Sequence, residues 1–202
     1  MIEIRNMSKK FNEQILFDDF NLEIDDGEFV VIMGPSGSGK TTLLNIIGGI
    51  EPFDLGEVVV NGVDISKSKN KLNYFKNTVG FLFQNFALVE NKTVIENLQL
   101  IKNDCRSDVL FDAALERVGL CGVKEKKVYK LSGGEQQRVA LARLMIKKCD
   151  VVLADEPTGS LDFQNGEIVM EILSELHEKG KTIVLVTHNR ELKKYATKVI
   201  EL

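Results

Sequence analysis

The sequence has little with which to build a covalent or metal-held framework. Its three cysteines, Cys105, Cys121 and Cys149, are odd in number, widely spaced and free of any C-x-x-C pair. That argues against a disulfide scaffold or a zinc site and fits a reducing compartment. Long apolar runs are also missing: 29–33 and 183–186, among the longest, fall far short of the ~20 residues a membrane-crossing helix needs. No cationic stretch followed by a long apolar run opens the chain, so no secretory leader is expected. Nor is there an excess of basic charge. With 26 Lys and Arg against 30 Asp and Glu, the net charge is −4, which leaves no global electrostatic case for nucleic-acid binding.

What is present suits a folded chain. Hydrophobic residues make up 44% and charged residues 28% of 202, enough for one domain with a sizeable core and too few for two full ones. Short apolar runs alternate with helical segments, an α/β pattern. Phe20, Leu22 and Ile24 alternate with polar residues, and 57–60 runs into the turn Asn61-Gly62, so antiparallel β-structure is predicted near the N-terminus. The runs 28–33, 79–83, 151–154 and 182–187 have the composition of strands buried in a parallel sheet. Between 84 and 130 the pattern is helical. Thr93 with Glu96 gives a capping-box signal, and Val109, Leu110, Ala113, Ala114 and Val118 share a face before Gly119. A second box, Ser132 with Glu135, opens a helix to about residue 148, and Ile168, Ile172, Leu173 and Leu176 mark another that stops at Gly180. The expected organisation is a single domain over 1–202, with 1–83 and 131–202 as its core and 84–130 as a small helical lobe.

Three clusters carry chemistry. Gly34, Pro35, Ser36, Gly37, Ser38, Gly39, Lys40 and Thr41 read GPSGSGKT, with Thr42 next, and match the phosphate-loop pattern G-x-x-x-x-G-K-[ST] between a strand and a helix. Glycines let the backbone N–H groups wrap an anion, the helix N-terminus adds positive potential, Lys40 supplies a charge for the phosphates, and Thr41 supplies a hydroxyl for Mg²⁺. The run 151–154 ends on Asp155 and Glu156. One carboxylate there suits Mg²⁺, and the next suits a general base that polarises the attacking water. Ser132, Gly133 and Gly134 offer a hydroxyl and unshielded N–H groups at a helix N-terminus, a second anion site.

The segment 131–138, LSGGEQQR, joined to that phosphate loop, resembles the ABC ATPase family, and the resemblance runs along the chain. It implies the phosphate-loop ABC ATPase fold, with a mainly parallel core sheet, an N-terminal antiparallel β-subdomain and a small helical lobe. It also implies roles: Gln84 as the Q-loop glutamine at the metal and the catalytic centre, Ser160, Leu161 and Asp162 as the D-loop, His188 as the switch histidine, and Phe11 as the aromatic that stacks on adenine. His177 lacks such support and reads as a surface residue. The resemblance further implies that ATP and Mg²⁺ are bound and that two copies pack head to tail. Ser132, Gly133, Gly134 and Asp162 of one copy would then meet the nucleotide held by the other. A membrane-spanning permease would hold the pair against the cytoplasmic face of the membrane, with no nucleic-acid partner. Phe86, Leu88 and Val89, which follow Gln84 without a clean period, are candidates to face that partner.

LNIIGGIEPFDLGEV, FQNFALVENKTVIENL and ADEPTGSLD resemble the bacterial branch of macrolide, antimicrobial-peptide and bacteriocin exporters and lipoprotein-releasing ATPases. An exporter of a peptide, lipid or drug-like molecule is therefore expected. The alternative is a mechanotransmission complex that controls cell-wall enzymes without transport. Val128-Tyr129-Lys130 and Lys148-Cys149 stand where many relatives carry prolines, and no C-terminal regulatory domain is expected.

Overall fold

Alternation along the buried strands decides how the layers stack. The computed structural model describes residues 1–159 and 161–202, apart from the side chains of Ser68 and Asn70. Its five-stranded parallel sheet is built from β3 (Phe29–Met33), β6 (Val79–Leu82), β7 (Val151–Asp155), β8 (Thr182–Val186) and β9 (Lys198–Glu201), in the order β6-β7-β8-β3-β9. Val30, Ile32, Val151, Leu153, Val184 and Val186 point to one core; Val31, Val152, Ala154, Ile183 and Leu185 point to the other. A sheet buried on both faces has no use for polar alternation, which is why these strands read as continuous apolar runs.

The first core lies against a four-stranded antiparallel sheet of β1 (Ile2–Phe11), β2 (Gln14–Ile24), β4 (Leu55–Val60) and β5 (Val63–Asp64), ordered β2-β1-β4-β5, and against α1 (Lys40–Ile47). The second is closed by α3 (Val94–Gln99), α4 (Phe111–Arg117), α5 (Gly133–Ile146) and α6 (Phe163–Glu178). A short α2 (Ser68–Asn73) runs into a π-helical turn, Tyr74–Thr78, whose buried Tyr74 hydroxyl donates to Ile47 O at 2.7 Å.

Both capping boxes form: Thr93 opens α3 with Glu96, and Ser132 opens α5 with Glu135. Other expectations need correcting. Leu110 and Ala113 are not on the buried face of α4: Leu110 sits at the N-cap position, before the first turn, and both are exposed, while Ala114 and Leu115 face the core. His177 is half-buried. Its Nε2 lies 2.7 Å from Gly27 O and its ring packs edge-on against Phe29, so it ties α6 to the start of β3. Phe86 and Leu88 are partly buried against the second core, and only Val89 of that trio is exposed.

Candidate nucleotide site

The site is assembled where β3 and β7 end and α1 begins. α1 starts with no acidic residue in its first turn and no side-chain cap, so its leading N–H groups stay free for an anion. Gly39 has φ 95°, and a Cβ there would meet Phe17 Cζ at 2.7 Å and Leu16 Cγ at 3.1 Å, so only glycine fits. Lys40 Nζ donates to Gly34 O at 2.9 Å and Pro35 O at 2.8 Å, folding the ammonium back over the loop it belongs to. Ser38 Oγ is buried with no partner among the described residues. An orphaned hydroxyl inside a loop of inward N–H groups fits a phosphate oxygen.

Asp155, the last residue of β7, is buried and accepts a 3.1 Å hydrogen bond from Thr41 Oγ1. Burial pushes its carboxyl up from the ordinary range; the Glu156 charge adds to the rise, while Thr41 and Lys40 oppose it. A divalent cation between Asp155 and Thr41 would offset that burial, so the donor set fits Mg²⁺. Gln84 is exposed and shares a 540 Å³ cleft with Thr41, Asn45, Ile50, Phe83, Asn85 and Asp155. No three His, Cys, Asp or Glu side chains gather among the described residues; beside the Asp155 carboxylate, the side-chain oxygens of this cleft include the Thr41 hydroxyl and the Gln84 amide.

Glu156 is fully engaged. Thr187 Oγ1 donates to its Oε2 at 2.9 Å, and its Oε1 accepts from the His188 backbone N–H at 3.0 Å and lies 2.8 Å from His188 Nδ1. Its own backbone holds φ 44°, left-handed and costly for a side-chain-bearing residue, and its N–H is tied to Val186 O at 3.0 Å. His188, Gly34 and Pro35 line one cleft. A separate cleft of 360 Å³ is lined by Phe11, Gln14, Leu16, Gly37, Gly39, Lys40, Thr41 and Thr42, with the Phe11 ring half-exposed in it.

Ser132, Gly133 and Gly134 lie apart from these residues, and neither the Phe11 nor the Gln84 cleft includes them. Ser132 Oγ accepts from Glu135 N at 3.2 Å, and Gly133 has open space around it. Asp162 caps α6 by accepting from Asn165 N at 2.9 Å; Asn165 Nδ2 bonds its other oxygen at 2.5 Å, and Asn165 Oδ1 takes a bond from Arg138. Gln137 Nε2 donates to Pro157 O at 3.0 Å. Ser160 lies outside the described residues.

The structure thus brings Lys40, Thr41, Asp155, Glu156 and His188 together, puts Gln84 and Phe11 at the rim, and holds Ser132, Gly133, Gly134 and Asp162 as a second group. Thr187, Asn165 and Gln137 were not legible as site residues, because each acts only through what folding sets beside it. Arg143 is another. Phe86 and Ala87, just after Gln84, have φ of 62° and 47°, and their carbonyls accept from Arg143 at 2.9 and 2.6 Å.

A family model described as ABC transporter matches residues 17–159. The chain belongs to the ABC transporter family. It is 43% identical over 213 residues to the uncharacterized ABC transporter ATP-binding protein MJ1508 of Methanocaldococcus jannaschii, covering 100% of this chain and 95% of that protein. Against the macrolide export ATP-binding/permease protein MacB of Chlorobaculum tepidum it is 42% identical over 212 residues, covering 100% of this chain but only 33% of that protein. The dimeric structure of a post-hydrolysis state of the ATP-binding cassette MJ0796, bound to ADP and Pi, superposes with a TM-score of 0.87 at 35% identity, covering 100% of this chain and 94% of that one. As an ABC transporter subunit the chain binds and hydrolyses ATP, and the strand-end residues of this parallel sheet are where such chemistry belongs.

Proposed function

We propose that two copies of this chain close head to tail around Mg-ATP and power a membrane-spanning subunit that exports a peptide, lipid or drug-like molecule. The observation that carries the first half is the split of the site. The phosphate loop with Asp155 and Glu156 is one group, and the open α5 terminus at Ser132, Gly133 and Gly134 is another that shares no Phe11 or Gln84 cleft with it. Each is an incomplete anion site, and a second copy completes both. The MJ0796 cassette is dimeric with ADP and Pi bound, which supports the reading.

In this reading, the α1 N-terminus, Ser38 and Lys40 hold the triphosphate, and Lys40 leaves the Gly34 and Pro35 carbonyls to do so. Thr41, Asp155 and Gln84 would hold Mg²⁺, which when bound draws charge from the β- and γ-phosphates. Glu156 takes the proton of the attacking water once one oxygen is released from His188 or Thr187, and His188 then faces the departing phosphate.

Export is supported by the likeness to MacB, a macrolide export protein whose name joins an ATP-binding and a permease part. No helix among the described residues is long and apolar enough to cross a membrane. By likeness to proteins that join an ATP-binding and a permease part, we place the chain in the cytoplasm, peripheral to the membrane through its partner. Residues 84–130 serve as the lobe that borders the docking face. A groove of 170 Å³ lined by Phe75, Phe81, Phe83, Ile101, Arg143 and Leu144, with the Phe81 and Phe83 rings stacked 4.8 Å apart, is where the partner's cytoplasmic segment seats.

The test is a covalently linked dimer. Joining a Lys40→Ala copy to a Ser132→Arg copy leaves one composite site intact, whereas placing both changes in one copy spoils both. ATPase activity in the first alone supports the head-to-tail arrangement; activity in the second alone shows that each chain works by itself.

A further inference from the structure

We infer that Lys9 is a positioning residue for nucleotide binding: its buried ammonium clamps the Phe11 ring and locks the base platform to the helix that carries the phosphate loop. The inference rests on the reading of Phe11 as the surface that takes the base.

Although the pairing of β1 with β2 shifts register between Lys9 and Lys10, the side chains of residues 9 and 11 meet, with the Lys9 ammonium over the Phe11 ring. Lys9 is buried, with 7% of its side chain exposed, unusual for a lysine and acceptable only when the ammonium is fully partnered. The ammonium has two hydrogen-bond acceptors and an aromatic face around it. Glu51 Oε1 lies at 2.6 Å and Pro52 O at 2.8 Å, and Nζ stands over the Phe11 ring, 4.4 Å from its centroid.

The partners matter as much as the distance. Glu51 and Pro52 belong to the segment that leaves the C-terminal end of α1, and α1 begins with Lys40 and Thr41. This segment is zipped to β1 a second time, by Asp54 N donating to Ser8 O at 2.9 Å and Lys10 N donating to Asp54 Oδ2 at 2.8 Å. One ammonium therefore joins the β1 strand, the ring of Phe11 and the far end of the phosphate-loop helix. Phe11 is 46% exposed and sits beside the hairpin turn at Asn12, where a free ring would sample several rotamers. With one face held over the cation, the remaining surface is presented to the cleft that Gly37, Lys40 and Thr42 also line. The distance between base and triphosphate is thereby fixed before the nucleotide arrives, which lowers the ordering cost of binding. A cation on one face also draws electron density from the ring, so the opposite face meets an electron-rich base more favourably.

Equilibrium binding of Mg-ATP and of inorganic tripolyphosphate, with steady-state ATPase kinetics, tests this on the full chain. Lys9→Met is expected to raise Kd and KM for ATP about 3- to 5-fold with kcat unchanged and tripolyphosphate affinity unaltered, and Lys9→Arg to restore most of the loss. In Phe11→Ala the ATP Kd rises about 10-fold, and adding Lys9→Met to it has no further effect. Because Lys9→Met strands the Glu51 carboxylate, the pair Lys9→Met with Glu51→Gln provides a folded background in which the same ATP-selective loss is expected. If Phe11→Ala leaves the ATP Kd unchanged, the base-stacking reading itself fails. If Phe11→Ala weakens ATP but Lys9→Met does not, weakens tripolyphosphate equally, or adds in full to Phe11→Ala, the role of Lys9 is overturned while that of Phe11 stands.

Discussion

Glu156 and His188 face each other across 2.8 Å, and the same glutamate oxygen also accepts the His188 backbone N–H at 3.0 Å. The carboxylate is thus held from two directions by one residue, at a position where the backbone itself is left-handed. In Glu156→Gln, which keeps the shape but not the basicity, Mg-ATP binding should persist while hydrolysis falls about 10²- to 10⁴-fold. Single-turnover measurements with labelled ATP check this, and a wild-type rate would remove Glu156 from the base role.

Lys40 already spends its charge on two loop carbonyls. Lys40→Ala should leave the fold intact and weaken ATP binding by about 1.5–3 kcal/mol, the worth of a hydrogen bond to a charged group. Titration calorimetry reads it directly; unchanged affinity would show that the ammonium never leaves Gly34 and Pro35.

Asp155 makes stability depend on pH. Its folded-state pKa is raised by burial, then by the neighbouring Glu156 charge, so keeping it ionised costs stability at neutral pH. That cost is relieved as pH falls through the raised folded value and changes no further below the unfolded value of about 3.9. Divalent-ion binding runs the other way, since protons displace the cation as pH falls. Asp155→Asn should therefore raise the nucleotide-free Tm, by about 2–4 °C per kcal/mol relieved, and abolish stabilisation by Mg²⁺ with ATP. Calorimetric scans of both proteins across pH 4–8 check the sign: a lower Tm for the variant would show that the carboxylate is stabilising.

Leu88 and Phe75 should behave oppositely. Leu88 packs against the second core, so Leu88→Ala should cost stability, up to the 2–5 kcal/mol seen for fully buried leucines. Phe75 lines the open groove and is 36% exposed. Phe75→Ala should leave basal ATPase unchanged and lower the rate stimulated by the membrane partner in vesicles. Denaturant melts and vesicle assays together separate the two, and a stability loss at Phe75 as large as at Leu88 would move the docking face elsewhere.

The parallel sheet was legible because strands buried on both faces are written as unbroken β-branched runs, and both capping boxes because their chemistry is local. β9 was not. Lys198–Glu201 is a four-residue edge strand with charged ends, and only its pairing with β3 makes it a strand. Similarly, the motif residues of the site announced themselves by spacing. Thr187 and Asn165 did not, since a threonine ending a buried run and an asparagine in a first helical turn look alike wherever they occur. Phe86 and Leu88 pointed inward because the two left-handed residues at 86 and 87 turn the chain back on the core, a bend that no periodicity encodes.

That bend has a mechanical meaning. Two consecutive left-handed residues form a wound spring worth roughly 1 kcal/mol or more each, and the catch that keeps it wound is the Arg143 guanidinium gripping the Phe86 and Ala87 carbonyls. Arg143 rides on α5, whose opposite end is Ser132 and its glycines. The helix therefore links the tip proposed to meet a second copy's nucleotide with the coil that follows Gln84, eleven residues along, and a displacement of that tip would be felt as a change of tension at the rim of the cleft.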